Sequence, residues 1–438
     1  MRNRLLVWIA VLAASLVAMP VSARASSGDA WVKIVTPNGA AMAGACVVGL
    51  DFATGQTQFG LTDAGGWMTL ADPTGDALGI VGVDCRTGRQ RTSVFDVAVT
   101  SGQQAVVTLK DPMPAAWYRT QSSTAPRNVS IIGDSITEGY FIPQESDYWV
   151  TAAQRALGDQ TGGYYPVAHN TWMPPFADDP WTTNGGTFQT IGGLAEQAWT
   201  LGAGNTVHAN FAGSTLSVLF TRVPGGGIAQ VNVDGVLRSL VNTDNSFPSS
   251  GYRIDLTGLG AGSHSLDISV LAASSAGVTV EGILTGGVER TTVWQAGRAG
   301  SDAYSWISKE ASWFGSLQST HPDLVLVYLG TNDLKSTSEP YFEQYLSMLV
   351  GQVAQAVPTA TIGLVVPVGV AGREAEFAPY QAAVRNLANR KGLGIIDLDL
   401  RRRLVGTPIA NLTVDGIHPN SPGSAFIANA VIDALRSS

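Results

Sequence analysis

The sequence predicts an α/β protein, a three-layer domain on a parallel sheet, carrying two small all-β sandwiches, one N-terminal and one inserted. Three observations predict it. From residue 291 onward, continuously apolar runs alternate with stretches of helical periodicity, the pattern of a doubly wound parallel sheet. Roughly 160 residues separate the first such run, at 128–133, from the second, at 291–295, where a strand-helix-strand unit needs about 30. Much of that excess, and the chain before residue 111, alternates apolar and polar residues between turn signals.

In chain order, residues 1–25 read as a signal peptide. Arg2 and Arg4 precede an apolar run over 5–19, and small residues follow up to Ala23 and Ala25. The run is shorter than the roughly 20 residues that span a bilayer, so an exported, extracellular chain without stable membrane insertion is expected. Residues 27–111 carry short strands at 32–35, 45–50, 66–70, 79–83 and 105–109, spaced as in a small sandwich. The only two cysteines, Cys46 and Cys85, fall here, and in an exported chain their pairing is expected. Residues 112–126, rich in Pro, Ser and Thr, read as a linker.

The parallel-sheet unit follows as 127–185 and 289–438, with 186–288 inserted. In the insert, Val207, Ala209 and Phe211 alternate with polar residues, as do Ala229, Val231 and Val233, and Asp234-Gly235 offers a two-residue hairpin turn. Beyond 291, strands are expected at 291–295, 324–329, 362–366 and 393–400. Helices are expected from Ser338, over 377–388, and from Ser421.

Composition narrows the function. The formal charge is −8, and no Lys/Arg run is long enough for a nucleic-acid patch, so no nucleic-acid partner is expected. No Gly-x-Gly-x-x-Gly follows the first strand, which removes a dinucleotide site, and no cofactor or metal is expected. Asp397 and Asp399 alternate on one face of the predicted last strand, where structural capping explains them better than glycosidase chemistry.

Parallel sheets place their chemistry beyond the C-terminal ends of the strands. There the chain carries Gly133-Asp134-Ser135, Gln295-Ala296-Gly297-Arg298-Ala299-Gly300, Gly330-Thr331-Asn332-Asp333 and Asp415-Gly416-Ile417-His418. A serine delivered by a strand to a tight turn needs a base, and the base needs an orienting group. Of the five histidines, His208 and His264 belong to the insert, and His321 lies at the wrong strand end. His169 sits in an aromatic, proline-rich loop. His418 has a carboxylate, Asp415, three residues earlier in a strand-to-helix loop, and is the expected base. Asn332 and the backbone N–H groups of Ser135 and of Gly300 or Gly297 are candidate oxyanion donors.

These four blocks, in this order, resemble the SGNH or GDSL-type hydrolases over roughly 127–157 and 290–438. The resemblance implies a flavodoxin-like fold, with Ser135 as nucleophile, His418 as base and Asp415 as its orienter. It implies Ser135 N–H, Gly300 N–H and Asn332 as oxyanion donors, Gly300 holding the last position of the family's Asn-x-x-x-x-Gly block. Gln295 departs from the Asn that usually opens that block. The Thr62-to-Gly66 turn resembles Ig-like or transthyretin-like accessory domains, and Gly262-Ser263-His264-Ser265-Leu266 resembles carbohydrate-binding-module-like jelly rolls. The expectation is a secreted serine esterase acting on O-acyl, first O-acetyl, esters of a polysaccharide or glycoconjugate. A lipid or short-chain carboxylesterase, or an acyltransferase, is the alternative. A carbohydrate-binding surface protein with an idle hydrolase domain is the alternative of another class. Trp172, in the loop 170–176, and Trp181 are candidate substrate-binding residues, although packing against the insert accounts for them equally.

Overall fold

A computed structural model describes residues 29–436 except 37, 52–56, 72–73, 85–88, 92–96, 101, 103, 109–110, 121–126, 143, 159–162, 169–179, 191, 273–274, 286–290 and 309. The predicted signal peptide and the Cys46–Cys85 pairing lie outside what is described. Among the described residues, no helix is long and apolar enough to cross a membrane.

The centre of the molecule is a five-stranded sheet in the order Thr292–Gly297, Asn128–Gly133, Leu324–Tyr328, Thr361–Val366, Gly394–Asp397. Every neighbouring pair is parallel, and numbered along the chain the order is the flavodoxin-like 2-1-3-4-5. The strands read as unbroken apolar runs because both faces are covered. On one face Ile132, Trp294, Val325, Val327 and Leu364 pack under helices Ala303–Ile307, Glu310–Ser319, Glu339–Ala356 and Glu374–Lys391. On the other, Val129, Ile131, Val293, Leu326 and Val365 pack under Trp149–Leu157 and Ser421–Leu435.

The linker expected over 112–126 is corrected in its first half. Residues Ala115–Thr120 form a helix on this second face, where Trp117 is fully buried and donates from Nε1 to Leu435 O at 2.9 Å. The side chain of Met113 fills a notch over two strands that only glycine leaves open. A Cβ at Gly394 would meet Met113 Sδ at 2.5 Å, and one at Gly363 would meet it at 3.1 Å.

The fifth strand is also shorter than the 393–400 expected. It stops at Asp397, whose carboxylate accepts from Leu400 N at 2.9 Å and caps a helix, Leu398–Leu404. Both aspartates are buried around Arg385, which reaches Asp397 through Nε at 2.7 Å and Asp399 through NH2 at 3.0 Å. Arg402 and Arg403 complete the network on Asp399.

The N-terminal unit is two sheets face to face. One has the order Trp67–Leu70, Ala30–Val35, Gln104–Thr108, and the other is built around Cys46–Asp51 and Thr74–Asp84. Ala30, Val32, Ile34, Val47, Met68, Leu70 and Val107 form its core.

The inserted unit is likewise two sheets, of six and five strands, closed over Val207, Ala209, Val218, Phe220, Val231, Leu266, Ile268 and Val280. Asp234 and Gly235 both take positive φ, 53° and 72°, and Val233 pairs with Val236, which is the predicted two-residue turn. These sheets recruit the chain earlier than residue 186. Gly163–Pro166 pairs with Val278–Thr285, and Trp181–Asn184 with Thr206–Ala212.

The insert is seated firmly on the parallel-sheet domain. Gly251 and Gly315 bring a strand against helix Glu310–Ser319 so closely that a Cβ at Gly251 would meet Gly315 O at 2.3 Å. The buried Glu281 carboxylate accepts from Gly251 N, Thr221 Oγ1 and, across the seam, Ser316 Oγ, at 2.7–2.9 Å. Tyr164 of the insert lies against Trp294 with centroids 5.2 Å apart.

Replacing Arg385 by Met is expected to destabilise the fold by about 3–5 kcal/mol, because it leaves Asp397 buried without its cation. Chemical denaturation of the two proteins measures this; a loss below about 1 kcal/mol would show that the network contributes little.

Candidate active site

Ser135 stands where the strand Asn128–Gly133 ends and a one-turn helix, Ser135–Glu138, begins. Asp134 caps that helix by accepting from Ile136 N at 2.9 Å, and Gly139 closes it at φ 93°. The turn is tight enough that a Cβ on Gly133 would meet Thr137 Oγ1 at 2.0 Å. Ser135 is 7% exposed, at the C-terminal edge of the sheet.

The histidine arrives from the far end of the chain. Gly416 takes φ 87°, Thr413 bridges to Pro419, and Val414 N donates to His418 O at 2.8 Å. Asn420 then caps the last helix by accepting from Gly423 N at 2.9 Å. His418 Nε2 lies 2.8 Å from Ser135 Oγ, and His418 Nδ1 lies 2.8 Å from Asp415 Oδ2. With Nδ1–H donated to the carboxylate, Nε2 is left to accept the serine proton. Burial pushes the Asp415 carboxyl up, but the N–H groups of His418 and Ile417 and the imidazole outweigh it and hold it below its ordinary range. Asp415 therefore stays ionised and orients the ring.

The loop after the second strand is tied to the serine turn. Arg298 N donates to Gly133 O at 3.1 Å, and Ser301 Oγ to the same oxygen at 3.2 Å. Gly300 takes φ 78°. Gly297 is needed for a different reason: a Cβ there would meet Glu138 N at 2.2 Å. Gln295, the departure from the family block, accepts from Gly297 N at 2.5 Å and so closes its own strand end. Asn332 donates one amide N–H to Ser301 O at 2.9 Å, which aims the group and leaves its second N–H. Ser135, His418 and Asp415 are thus in one hydrogen-bonded line, with the loop of Gly300 and the amide of Asn332 bound to each other beside it.

Two aromatic residues escaped the sequence reading. Tyr140 and Phe141 lie against the His418 ring with centroids 4.6 and 5.4 Å away. Phe141 has φ 65° and is 52% exposed, an unfavourable conformation for a residue with a Cβ. Their position directly after Gly139 was the available signal. Of the two expected platform residues, Trp172 lies outside the described residues. Trp181 is partly buried: it packs against the insert's core and donates from Nε1 to Tyr165 O at 3.3 Å, the packing role weighed for it above. His169 also lies outside the described residues. His208 and His264 pair with Asp267 and Asp234, as structural partners within the insert.

Two buried carboxyls, Asp134 and Asp333, adjoin Ser135 and Asn332 in the chain. Burial pushes Asp134 up to about 7 against the Ile136 N–H, and the charges of Asp333 and Glu138 add to it. Burial likewise pushes Asp333 up to about 7 against the Ala303 N–H, with Asp302 adding to it. Between the ordinary carboxyl value near 4 and about 7, the unfolded chain releases protons that the fold retains, so stability falls as pH rises through that window. The gain of Asp134→Asn over wild type should be small at pH 4, grow to about pH 7 and then level off, reaching about 1–4 kcal/mol. Thermal midpoints at pH 4, 5.5, 7 and 8.5 test it; a gain independent of pH would contradict the assignment.

Comparison with known proteins bears on the fold and on about a third of the chain. Residues 273–426 match the sequence model of the GDSL-like Lipase/Acylhydrolase family. No curated protein matches the chain. Among solved structures, a peptidoglycan O-acetylesterase superposes with a TM-score of 0.54 at 18% identity, over 74% of this chain and 97% of its own. A carbohydrate esterase family 2 enzyme with a carbohydrate binding domain, from Corynascus thermopiles (Myceliophthora fergusii), gives 0.29 at 14% identity, over 58% and 98%. The α/β hydrolase LAE5 from the metagenome of Lake Arreo, Spain, gives 0.29 at 24% identity, over 33% and 72%. The family match spans about a third of the chain, from the end of the insert through most of the parallel-sheet domain, and includes Asn332, Asp415 and His418; over that stretch the chain is similar to the GDSL-like acylhydrolases, and the protein is a carboxylic ester hydrolase.

Proposed function

We propose that the protein is an exported serine esterase that removes O-acetyl groups from a polysaccharide or glycoconjugate through an acyl-Ser135 intermediate. The observation that carries the reading is the hydrogen-bonded line Ser135 Oγ, His418 Nε2, His418 Nδ1, Asp415 Oδ2 at the sheet's C-terminal edge. In the first step Ser135 Oγ bonds to the ester carbonyl carbon while its proton passes to His418 Nε2. The carbonyl π pair moves onto oxygen, where Ser135 N–H, Gly300 N–H and the free N–H of Asn332 would receive it, each such donor being worth about 3 kcal/mol of barrier. Collapse breaks the bond to the alcohol oxygen, which takes the proton back from His418. Water then repeats the sequence on the acyl-serine and releases acetate.

A sugar alcohol as leaving group is supported by what surrounds the proton donor. The departing oxygen must lie beside His418 Nε2, and Tyr140 and the half-exposed Phe141 flank that ring. An aromatic face there suits the apolar face of a pyranose. The fold shared with a peptidoglycan O-acetylesterase over most of the chain is compatible with a glycan substrate. Export rests on the N-terminal pattern of Arg2, Arg4, the apolar run and the small residues before Ala25.

A serine-reactive phosphonate should label wild type and not Ser135→Ala, and the variant should lose at least about 10³-fold in kcat. Folded wild type that resists labelling would remove the esterase mechanism. Acetate release from a panel of O-acetylated polysaccharides and peptidoglycan, set beside chain-length profiles on synthetic esters, tests the substrate class. A preference for acyl chains of eight or more carbons would end the acetylesterase reading. Phe141→Ala should raise KM on the glycan by about five- to tenfold, and less on 4-nitrophenyl acetate.

A further inference from the structure

One turn of the inserted sandwich reaches the loops beside Ser135. Between strands Thr187–Gln189 and Ala198–Leu201, Gly192 and Gly193 take φ 78° and 76°, and Glu196 N donates back to Gly193 O at 3.1 Å. Neither glycine has room for a side chain: a Cβ would meet Thr221 Oγ1 at 2.0 Å or Gln197 O at 2.4 Å. Glu196 itself takes φ 55°, although it is not glycine, and is fully buried. That conformation costs on the order of 1–2 kcal/mol and aims a carboxylate inward, so something must compensate it.

The compensation lies in the loop that carries Gly300. The Glu196 carboxylate pairs with the Arg298 guanidinium, which also lies over the Trp306 ring at 5.9 Å. The next residue of the turn, Gln197, donates from Nε2 to Glu138 Oε1 at 3.1 Å. Glu138, fully buried at the end of the serine helix, accepts the Ala299 N–H on its other oxygen. Arg298 and Ala299, the two residues before Gly300, are therefore each held by a chain of contacts that starts in the insert. The Ala299 N–H belongs to the peptide just before the one that carries the Gly300 N–H, so these contacts fix the chain where it enters that donor.

We propose that Glu196 and Gln197 are positioning residues for acyl transfer, and that the inserted sandwich completes the oxyanion loop in addition to any part it plays with substrate. The proposal rests on the reading of Gly300 as an oxyanion donor. It makes the insert a component of the catalytic unit, with its influence acting on the tetrahedral intermediate.

The full-length protein tests this with Glu196→Gln, which preserves shape, Glu196→Ala, and Gln197→Leu. On 4-nitrophenyl acetate each should lower kcat by about 10- to 100-fold with KM changed less than threefold, because the lost interaction is made in the transition state. The rate of phosphonate labelling, which forms a tetrahedral adduct, should fall in parallel. Arg298→Lys, which retains the cation, should recover part of what Arg298→Ala loses. Thermal melts identify variants that fail to fold; if Glu196→Ala lacks a cooperative transition, Glu196→Gln and Gln197→Leu decide. Wild-type kcat and labelling rate in those two folded variants would overturn the proposal while leaving the esterase reading intact. Failure of wild type itself to be labelled at Ser135 would instead remove the reading on which it rests.

Discussion

Two strand ends in this protein must be bare. Gly133 and Gly297 are register partners on neighbouring parallel strands, and the helix that begins at Ser135 folds back across both. A Cβ on either would collide with that helix, at Thr137 Oγ1 or at Glu138 N. This close approach lets the chain turn sharply at Ser135, and it brings Gly133 O within reach of Arg298 N and Ser301 Oγ. The serine turn and the Gly300 loop are in effect one piece. The histidine loop, anchored through Asn420 to Asn411 O and Thr413 O and to the last helix, then has a fixed target.

Much of this was legible in the sequence, for a physical reason. Parallel strands covered on both faces are continuously apolar, and residues that must turn, cap and donate at their C-terminal ends have few substitutes. Gly133-Asp134-Ser135, Gly330-Thr331-Asn332 and Asp415-Gly416-Ile417-His418 therefore stand out one block at a time. Features that depend on distant partners did not. Residues 112–120 look like a linker by composition, and their helix is fixed by a cleft between Leu435 and two glycines far along the chain. Asp397 and Asp399 fit a strand by alternation, but the first caps a helix and both neutralise Arg385. Trp181 left two roles open, substrate contact and packing against the insert, and its partner Tyr165 O belongs to a strand that joins the sandwich from outside the expected bounds. Glu196 gave no signal, since a glutamate in the αL region facing an arginine roughly 100 residues away leaves no local pattern.

The buried ionisable groups divide by how they are satisfied. Arg385 gathers two carboxylates and forms a closed ionic cluster beneath the last strand. Glu281 is met by neutral donors from both domains, so burial outweighs them and pushes its carboxyl up. Asp134 and Asp333, next in sequence to Ser135 and Asn332, are pushed up to about 7 by burial, which a serine turn capped by an acid brings with it.

The pairing of Gly163 with Thr285 joins the two ends of the inserted segment. That has a kinetic meaning. The central strand Asn128–Gly133 must find its neighbour Thr292–Gly297 across roughly 160 residues of chain. Once the sandwich has formed, its first and last strands lie side by side, and the open loop shrinks to a few tens of residues. By loop-closure entropy this lowers the cost of sheet formation by about 1 kcal/mol, and it replaces one very distant encounter with two shorter ones. The insert would then be the early-folding part of the domain that it interrupts, and the two edges of the active site would meet across a bridge already built.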